Sequence, residues 1–325
     1  MKKFFTLLLA VISTMTAFAQ TEPAIELQAE VDGNTRTFTI GLATEGTVQI
    51  DWGNGEKVTS EVIPAFDGWN QVNVYGTVSG EGKVKIYGDN IVYFECSSRV
   101  DGAQILSLDV TKATALKDLT ANTNQLTSID LTKNTELEKL TISNNQLTSI
   151  DISKCTKLTT LDITNNLLTE IDITKNQALQ TLRIGQNKLA GELDLSTNPT
   201  IKSVYAQTNE LTAVKIGNNT AKKPNFSFNE NKLTSFDATG IEDAANAILY
   251  LNGNQLTEIK LPSTKMKTLN ILKNNFTLAT LPAPTVAKTF NYAPQNDYVI
   301  AESYKVGDVL DLSSQTSATL NTQFA

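Results

Sequence analysis

Over residues 116–276 apolar and polar positions return in a fixed frame, clearest as Leu137-x-x-Leu140-x-Ile142-x-x-Asn145-x-Leu147 and again as Leu158-x-x-Leu161-x-Ile163-x-x-Asn166-x-Leu168. The last leucines of the frame, Leu126, Leu147, Leu168 and Leu189, stand 21 residues apart, and Leu211, Leu233, Leu256 and Phe276 continue with steps of 22, 22, 23 and 20. Alternation with period two predicts a short strand in each repeat, with Leu140 and Ile142 inward and Thr141 and Ser143 outward. Successive strands then pair in parallel, about 4.8 Å apart. A second alternating unit follows each anchor, as Ile129-Asp130-Leu131, Ile150-Asp151-Ile152, Ile171-Asp172-Ile173 and Leu193-Asp194-Leu195. It keeps the return side of each coil extended and leaves too few residues for a substantial helix. The predicted class is mainly β.

That period and the L-x-x-L-x-L-x-x-N-x-L pattern are the signature of a leucine-rich-repeat solenoid. One coil cannot bury its own apolar residues, whereas stacked coils share a core. The column Asn124, Asn145, Asn166, Asn187, Asn209, Asn231, Asn254 and Asn274 lies inside the hydrophobic frame. Its amides are therefore expected to turn inward and bond backbone groups that would otherwise be buried unpaired.

The flanks break the period. Phe38-Thr39-Ile40, Val48-Gln49-Ile50 and Val72-Asn73-Val74-Tyr75 alternate between glycines, which predicts a small β module covering the open end of the first coil. Within it, Asp51-Trp52-Gly53-Asn54-Gly55 reads as a tight turn with Trp52 packed beneath, calcium or ligand binding being the alternative. The frame also matches Val84-x-Ile86-x-x-Asp89-x-Ile91 followed by Phe94-x-Cys96, and a degenerate coil using Val100, Ile105, Leu108 and Val110 joins it to the regular run. The expected division is a signal peptide over residues 1–19, a capping module over 20–81, the solenoid over 82–278, a proline-containing C-terminal cap over 279–312, and over 313–325 a linker or the start of a further domain.

Residues 1–19 carry Lys2 and Lys3, an apolar stretch and an Ala17-Phe18-Ala19 end, the form of a cleaved secretory signal. No other segment has the apolar length to cross a bilayer. The net charge of -7 becomes more negative once Lys2 and Lys3 leave, which disfavours attraction to nucleic acid or anionic lipid. Two cysteines exist. Cys96 falls at an inward position; Cys155 falls in a turn, where exposure and an intermolecular disulfide are open to it.

The sequence has no histidine, which excludes Ser-His and Cys-His triads and His-ligated metal sites built from this chain alone. No phosphate loop or dinucleotide fingerprint is present, and no cofactor is expected. Enzymatic activity would rest on carboxylates, as in a glycoside hydrolase. The available column is Asp109, Asp130, Asp151, Asp172, Asp194 and Asp237, with Lys112, Lys133, Lys154 and Lys175 three residues after the first four. Turn hydrogen bonds and lysine pairing account for it; a calcium ladder or catalysis is the alternative use.

The outward columns read Thr120, Thr141, Asp162, Arg183, Tyr205, Ser227, Tyr250, Asn270 and Asn122, Ser143, Thr164, Gly185, Gln207, Asn229, Asn252, Leu272. Early coils are small and uniform; later ones vary. Tyrosine and arginine are enriched among strongly contributing interface residues, so the candidate binding residues are Asp162, Arg183, Tyr205, Gln207, Asn229, Tyr250 and Asn252.

With its repeats of the form Leu126-Thr127-Ser128-Ile129-Asp130-Leu131-Thr132-Lys133-Asn134 and the preceding Asp51-Trp52-Gly53-Asn54-Gly55, the chain resembles surface or secreted leucine-rich-repeat proteins of Bacteroidota over nearly all of its mature length. It resembles internalin-like adhesins more loosely, through the repeat alone. Ile142 and Ile163 stand where relatives often have cysteine. The resemblance implies a secreted or cell-surface monomer that contacts an extracellular protein or glycan, but supplies no shared ligand-contact motif. Some relatives continue into immunoglobulin-like modules, and the segment from Val306 to Ser314 looks like the approach to one; a rigid spacer displaying a further domain is the second expectation, and a carboxylate glycosidase the third.

Overall fold

The computed structural model describes residues 22–64, 70–98, 104–277 and 279–296. The expected signal segment, Val100, and residues 297–325 of the expected cap and linker lie outside the described residues. The fold is a mainly β solenoid, with no α-helix among the described residues and only two short 3-10 turns. The N-terminal strands are β1 (Ile25–Ala29), β2 (Thr35–Leu42), β3 (Gly46–Asp51), β4 (Lys57–Pro64), β5 (Asn70–Thr77) and β6 (Lys83–Tyr87). The first coil contributes β7 (Ile91–Glu95) and, on its return side, β8 (Ile105–Asp109). Three-residue strands follow at each repeat: β9 (Asp118–Thr120), β10 (Lys139–Thr141), β11 (Thr160–Asp162) and β12 (Thr181–Arg183). The later coils hold β13 (Ala190–Asp194), β14 (Ser203–Tyr205), β15 (Glu210–Lys215), β16 (Asn225–Ser227), β17 (Ser235–Asp237), β18 (Ile248–Tyr250), β19 (Glu258–Lys260), β20 (Met266–Asn270) and β21 (Ala287–Asn291).

Each repeat strand is short because only one inward residue, such as Leu140 or Leu161, sits between two outward ones before the chain bends. The strands β7, β9, β10, β11, β12, β14, β16, β18, β20 and β21 pair in parallel, with Phe94, Leu119, Leu140, Leu161 and Leu182 in register. On the return side the later coils pair β13 with β15 and β17 with β19. The inward residues form one hydrophobic cluster from Ala24 to Ala287.

The N-terminal strands pair with both walls of the first coil. β2 pairs antiparallel with β7 and so prolongs the parallel sheet, while β1 pairs antiparallel with β8 and closes the return wall. Between them Phe38 stacks on Trp52 with ring centroids 5.2 Å apart and packs against Phe94 at 5.8 Å. Trp52 is buried as expected, lying so close over Gly76 that a Cβ there would collide with the indole. Asp51 Oδ1 closes the turn beside it by accepting from the Gly53 and Gly55 N–H groups at 2.8 and 2.9 Å.

Two sequence expectations are corrected. Val84 and Ile86 do not share the frame of the stack, because β6 pairs antiparallel with β1 and β3; Phe94 and Cys96 stand where Leu119 and Ala121 stand one coil later. Periodicity alone could not separate them, since β6 and β7 alternate in the same way. Cys155 is fully buried. It occupies a second inward column with Asn134, Asn176, Asn198 and Asn219, all buried, whose amides bond carbonyls of the preceding coil. In that column the Cys155 Sγ faces the Leu131 and Asn134 carbonyls at 3.8 and 3.6 Å. Its turn is real, closed by Cys155 N–H to the Ile152 carbonyl at 2.9 Å, but the turn directs the side chain into the stack. Burial pushes the thiol pKa up to about 11, and Cys96 is raised by the same cause.

Candidate binding face

The asparagine column fixes the geometry from which the face follows. The Asn145 Nδ2 donates to the Ala121 and Ile142 carbonyls at 3.0 and 3.1 Å, and its Oδ1 accepts from Leu126 N–H at 3.0 Å. Asn166 repeats this with Ile142, Ile163 and Leu147 at 3.1, 3.0 and 3.0 Å. Each amide therefore stitches its own coil to the one before, with no donor or acceptor left over at the bend. Gln295 extends the ladder past Asn274 by donating to the Ile271 carbonyl at 3.1 Å. Just before each asparagine the chain turns through left-handed backbone, at Thr123, Asn144, Asn165, Gln186, Thr208 and Glu230.

Because inward residues are pinned in this way, outward residues form straight rows. The row Thr120, Thr141, Asp162, Arg183, Tyr205, Ser227, Tyr250, Asn270 is in exact strand register and ends on Asn291. At the other end it runs through Glu95 into Thr39 and Asn73 of the N-terminal module. The surface is thus one uninterrupted sheet from β5 to β21, on the order of 50 Å long at the usual strand spacing.

Along it the expected site residues fall as follows. Asp162 and Arg183 are direct neighbours but form no ion pair; Asp162 accepts from Thr164 N–H at 3.1 Å, and the Arg183 guanidinium lies over the Tyr205 ring, 5.4 Å from its centroid. The contact is cation–π in kind. Gln207 lies across Gly185, whose lack of a side chain makes room for it. Ser227 is buried low between Tyr205 and Tyr250, its hydroxyl donating to Asn229 Oδ1. Asn252 continues the row of Gln207 and Asn229 one coil further. The structure thus brings Arg183, Tyr205, Gln207, Ser227, Asn229, Tyr250 and Asn252 into one patch, with Asp162 at its margin.

A third outward row escaped the sequence reading: Asp118, Lys139, Thr160, Thr181, Ser203, Asn225, Ile248 and Thr268, the residue before each inward position. The same alternation that placed Thr141 outward places Lys139 outward. Asn225 joins the patch through a 3.2 Å hydrogen bond from its Nδ2 to Tyr205 Oη. At the other end Lys139 pairs with Asp118 at 3.1 Å, while burial pushes the Asp118 pKa up against the pull of that lysine.

The aspartate column on the return side has a different chemistry. Asp130, Asp151, Asp172, Asp194 and Asp237 accept from the N–H two residues on, at 2.8 to 2.9 Å. Hydroxyl bonds from the residues two on, together with these turn bonds, hold the pKa values of Asp130, Asp172, Asp194 and Asp237 below the ordinary range, as they do at Asp151, where the turn bond from Ser153 is the larger cause. A glycosidase acid needs the opposite shift. Lysine pairing is a lesser influence than expected: Lys112 turns instead to Glu22 at 2.7 Å, and Asp194 takes Lys215 of the next coil at 2.9 Å. Among the described residues no group of histidine, cysteine or acidic side chains could hold a metal ion. An open cavity of about 610 Å³, lined by Glu26, Gln28, Lys83, Asp109 and Asp130, lies off the sheet face. No helix among the described residues is long and apolar enough to cross a membrane.

Residues 135–176 match the family model described as Leucine Rich repeats (2 copies). No curated protein matches the chain. Among solved structures the chain is similar to the functional domain of InlJ from Listeria monocytogenes, at 23% identity over 57% of this chain and 45% of that one, with a TM-score of 0.43. It is similar also to a leucine-rich-repeat protein of Leptospira interrogans, at 18% identity over 57% of each chain and TM-score 0.44, and to the leucine-rich-repeat domain of APL1B, at 19% over 57% and 56% and TM-score 0.46. The chain spans about half the length of these structures, and the likeness is one of fold.

Proposed function

We propose that this chain is a secreted or cell-surface binding module, acting as a monomer, that holds an extracellular protein or glycan on the outward face of its parallel sheet. In this reading the N-terminal strands cap the stack and Asp162, Arg183, Tyr205, Gln207, Asn229, Tyr250 and Asn252 contact the ligand. The observation that carries it is the sorting of the face: a pinned, uninterrupted sheet whose row in line with Thr141 and the row after it hold only Thr120, Asn122, Thr141 and Ser143 in the coils of β9 and β10, but gain Arg183, Tyr205, Gln207 and Tyr250 in the coils of β12 to β18. Structural demands on outward positions are similar in every coil, so they do not account for that change.

The test is a screen of extracellular proteins and glycans against the mature protein, repeated for any hit with Tyr205→Ala and Tyr250→Ala combined. Loss of affinity by about tenfold or more is expected, since tyrosines that a partner covers are frequent binding hot spots. Unchanged affinity in the double variant would remove this face from the reading.

A further inference from the structure

The outward face is divided by charge. In the coils of β7 to β12 it carries Glu95, Asp118, Lys139, Asp162 and Arg183. In the coils of β14, β16, β18 and β20 all three outward rows are uncharged, although 19% of the chain is charged. The side chains there are amides, hydroxyls and two tyrosines, with the apolar Ile248 and Leu272 beside them.

This uncharged half has a specific shape. Tyr205 and Tyr250 sit in one row two strands apart, about 10 Å by the usual spacing. Ser227 lies low between them, and its floor is rigid because Phe226 and Phe228 on either side are fully buried and packed at 6.2 Å. The result is a saddle with a ring at each end. Gln207 and Asn229 flank it on one side and Asn225 on the other. Two amide oxygens at this rim, Gln207 Oε1 and Asn225 Oδ1, are covered and accept no hydrogen bond from the protein. Unpaired acceptors of this kind are costly and are relieved by a donor hydroxyl when the amide turns to meet one.

Resting on the binding reading above, we propose that the ligand is an uncharged polysaccharide whose chain runs along the stack axis, with one sugar ring seated over Ser227 between Tyr205 and Tyr250. Sugar hydroxyls both donate and accept, which amides match in either sense, and the apolar faces of pyranose rings pack on aromatic rings. The one cation bordering the saddle, Arg183, already lies over the Tyr205 ring, and the three outward rows from β14 to β20 offer no further charge by which an anionic polymer would be selected. An open-ended face without side walls admits the interior of a long chain as readily as its end.

The full chain is to be titrated with laminarin, xylan and mannan as uncharged polymers, heparin and alginate as anionic ones, and chitosan as a cationic one. Binding to at least one uncharged polymer is expected, changing by less than about twofold between 50 and 500 mM NaCl because no screened ion pair contributes. Tyr250→Ala and Ser227→Trp, which fills the saddle, should each weaken it by about tenfold, while Thr141→Ala leaves it unchanged. Thermal melts of each variant separate lost binding from lost folding. Binding confined to charged polymers and abolished by salt overturns the inference, as does neutral-polymer binding that survives Tyr250→Ala. A protein ligand whose affinity needs Tyr205 and Tyr250 overturns the polysaccharide but keeps the face; no ligand of either kind overturns both.

Discussion

Removing the Asn166 side chain tests the lattice on which the binding face depends. Its amide makes two kinds of bond, and their loss is not equivalent. The Ile142 carbonyl accepts from both Asn145 and Asn166, and the Ile163 carbonyl from both Asn166 and Asn187, so after Asn166→Ala each of these buried oxygens keeps one partner. The Leu147 N–H has only the Asn166 Oδ1, at 3.0 Å, and is left orphaned inside the stack. A buried donor without a partner costs about 1 to 3 kcal/mol. The loss of two shared bonds and the small void beneath bring the expected destabilisation of Asn166→Ala to about 2 to 4 kcal/mol. Asn166→Asp keeps the acceptor for Leu147 but turns a carboxylate toward two carbonyls, so it should be at least as damaging at neutral pH and partly recover as the acid is protonated. Thr164→Ala, on the outward side of the same bend, should cost less than about 0.5 kcal/mol. Because neighbouring coils stabilise one another, the central break should also spread further than Asn274→Ala near the end. Urea unfolding followed by circular dichroism measures each variant. Equal damage from Thr164→Ala and Asn166→Ala would refute the inward and outward assignment itself.

Other consequences can be measured on the same material. Neither cysteine should react with Ellman's reagent in the native protein, and both should after denaturation; reaction of Cys155 before unfolding would contradict its burial. Cys155→Asn, which supplies the amide present at Asn134 and Asn176, should leave stability unchanged or raise it by up to about 1 kcal/mol. Thr208 is β-branched and left-handed at φ 57°. Thr208→Asn should therefore stabilise by about 0.5 to 1 kcal/mol in denaturant melts, asparagine tolerating that conformation better. The five return-side aspartates have folded pKa values below their unfolded ones, so their stabilisation is present above the unfolded value and is lost as pH falls through the folded one. Stability should thus decline below about pH 4, and replacing Asp130, Asp151 and Asp172 by Asn, whose oxygen still accepts the turn N–H, should flatten that decline in acid titrations.

What the sequence by itself determined was whatever repeats. The spacing of Leu126, Leu147 and Leu168 set the coil length, the alternation about Leu140 set inward and outward, and the recurrence of Asn145 within that frame marked a buried amide; each is a local pattern copied many times, so noise in one coil is corrected by the next. The same alternation was legible for Lys139 and Asn225 but went unread, because the row preceding each inward leucine has no residue type of its own. Three matters only the tertiary structure decided. β6 and β7 alternate alike, and pairing direction, antiparallel to β1 for one and parallel to β9 for the other, depends on partners distant in sequence. Cys155 was buried by the turn that aims it at the Asn134 carbonyl of the coil before, a contact between residues 21 apart that a turn's composition does not specify. The saddle at Ser227 exists because strands from three successive coils stand in register over a packed phenylalanine floor, and that register is a property of the stack, not of any one repeat.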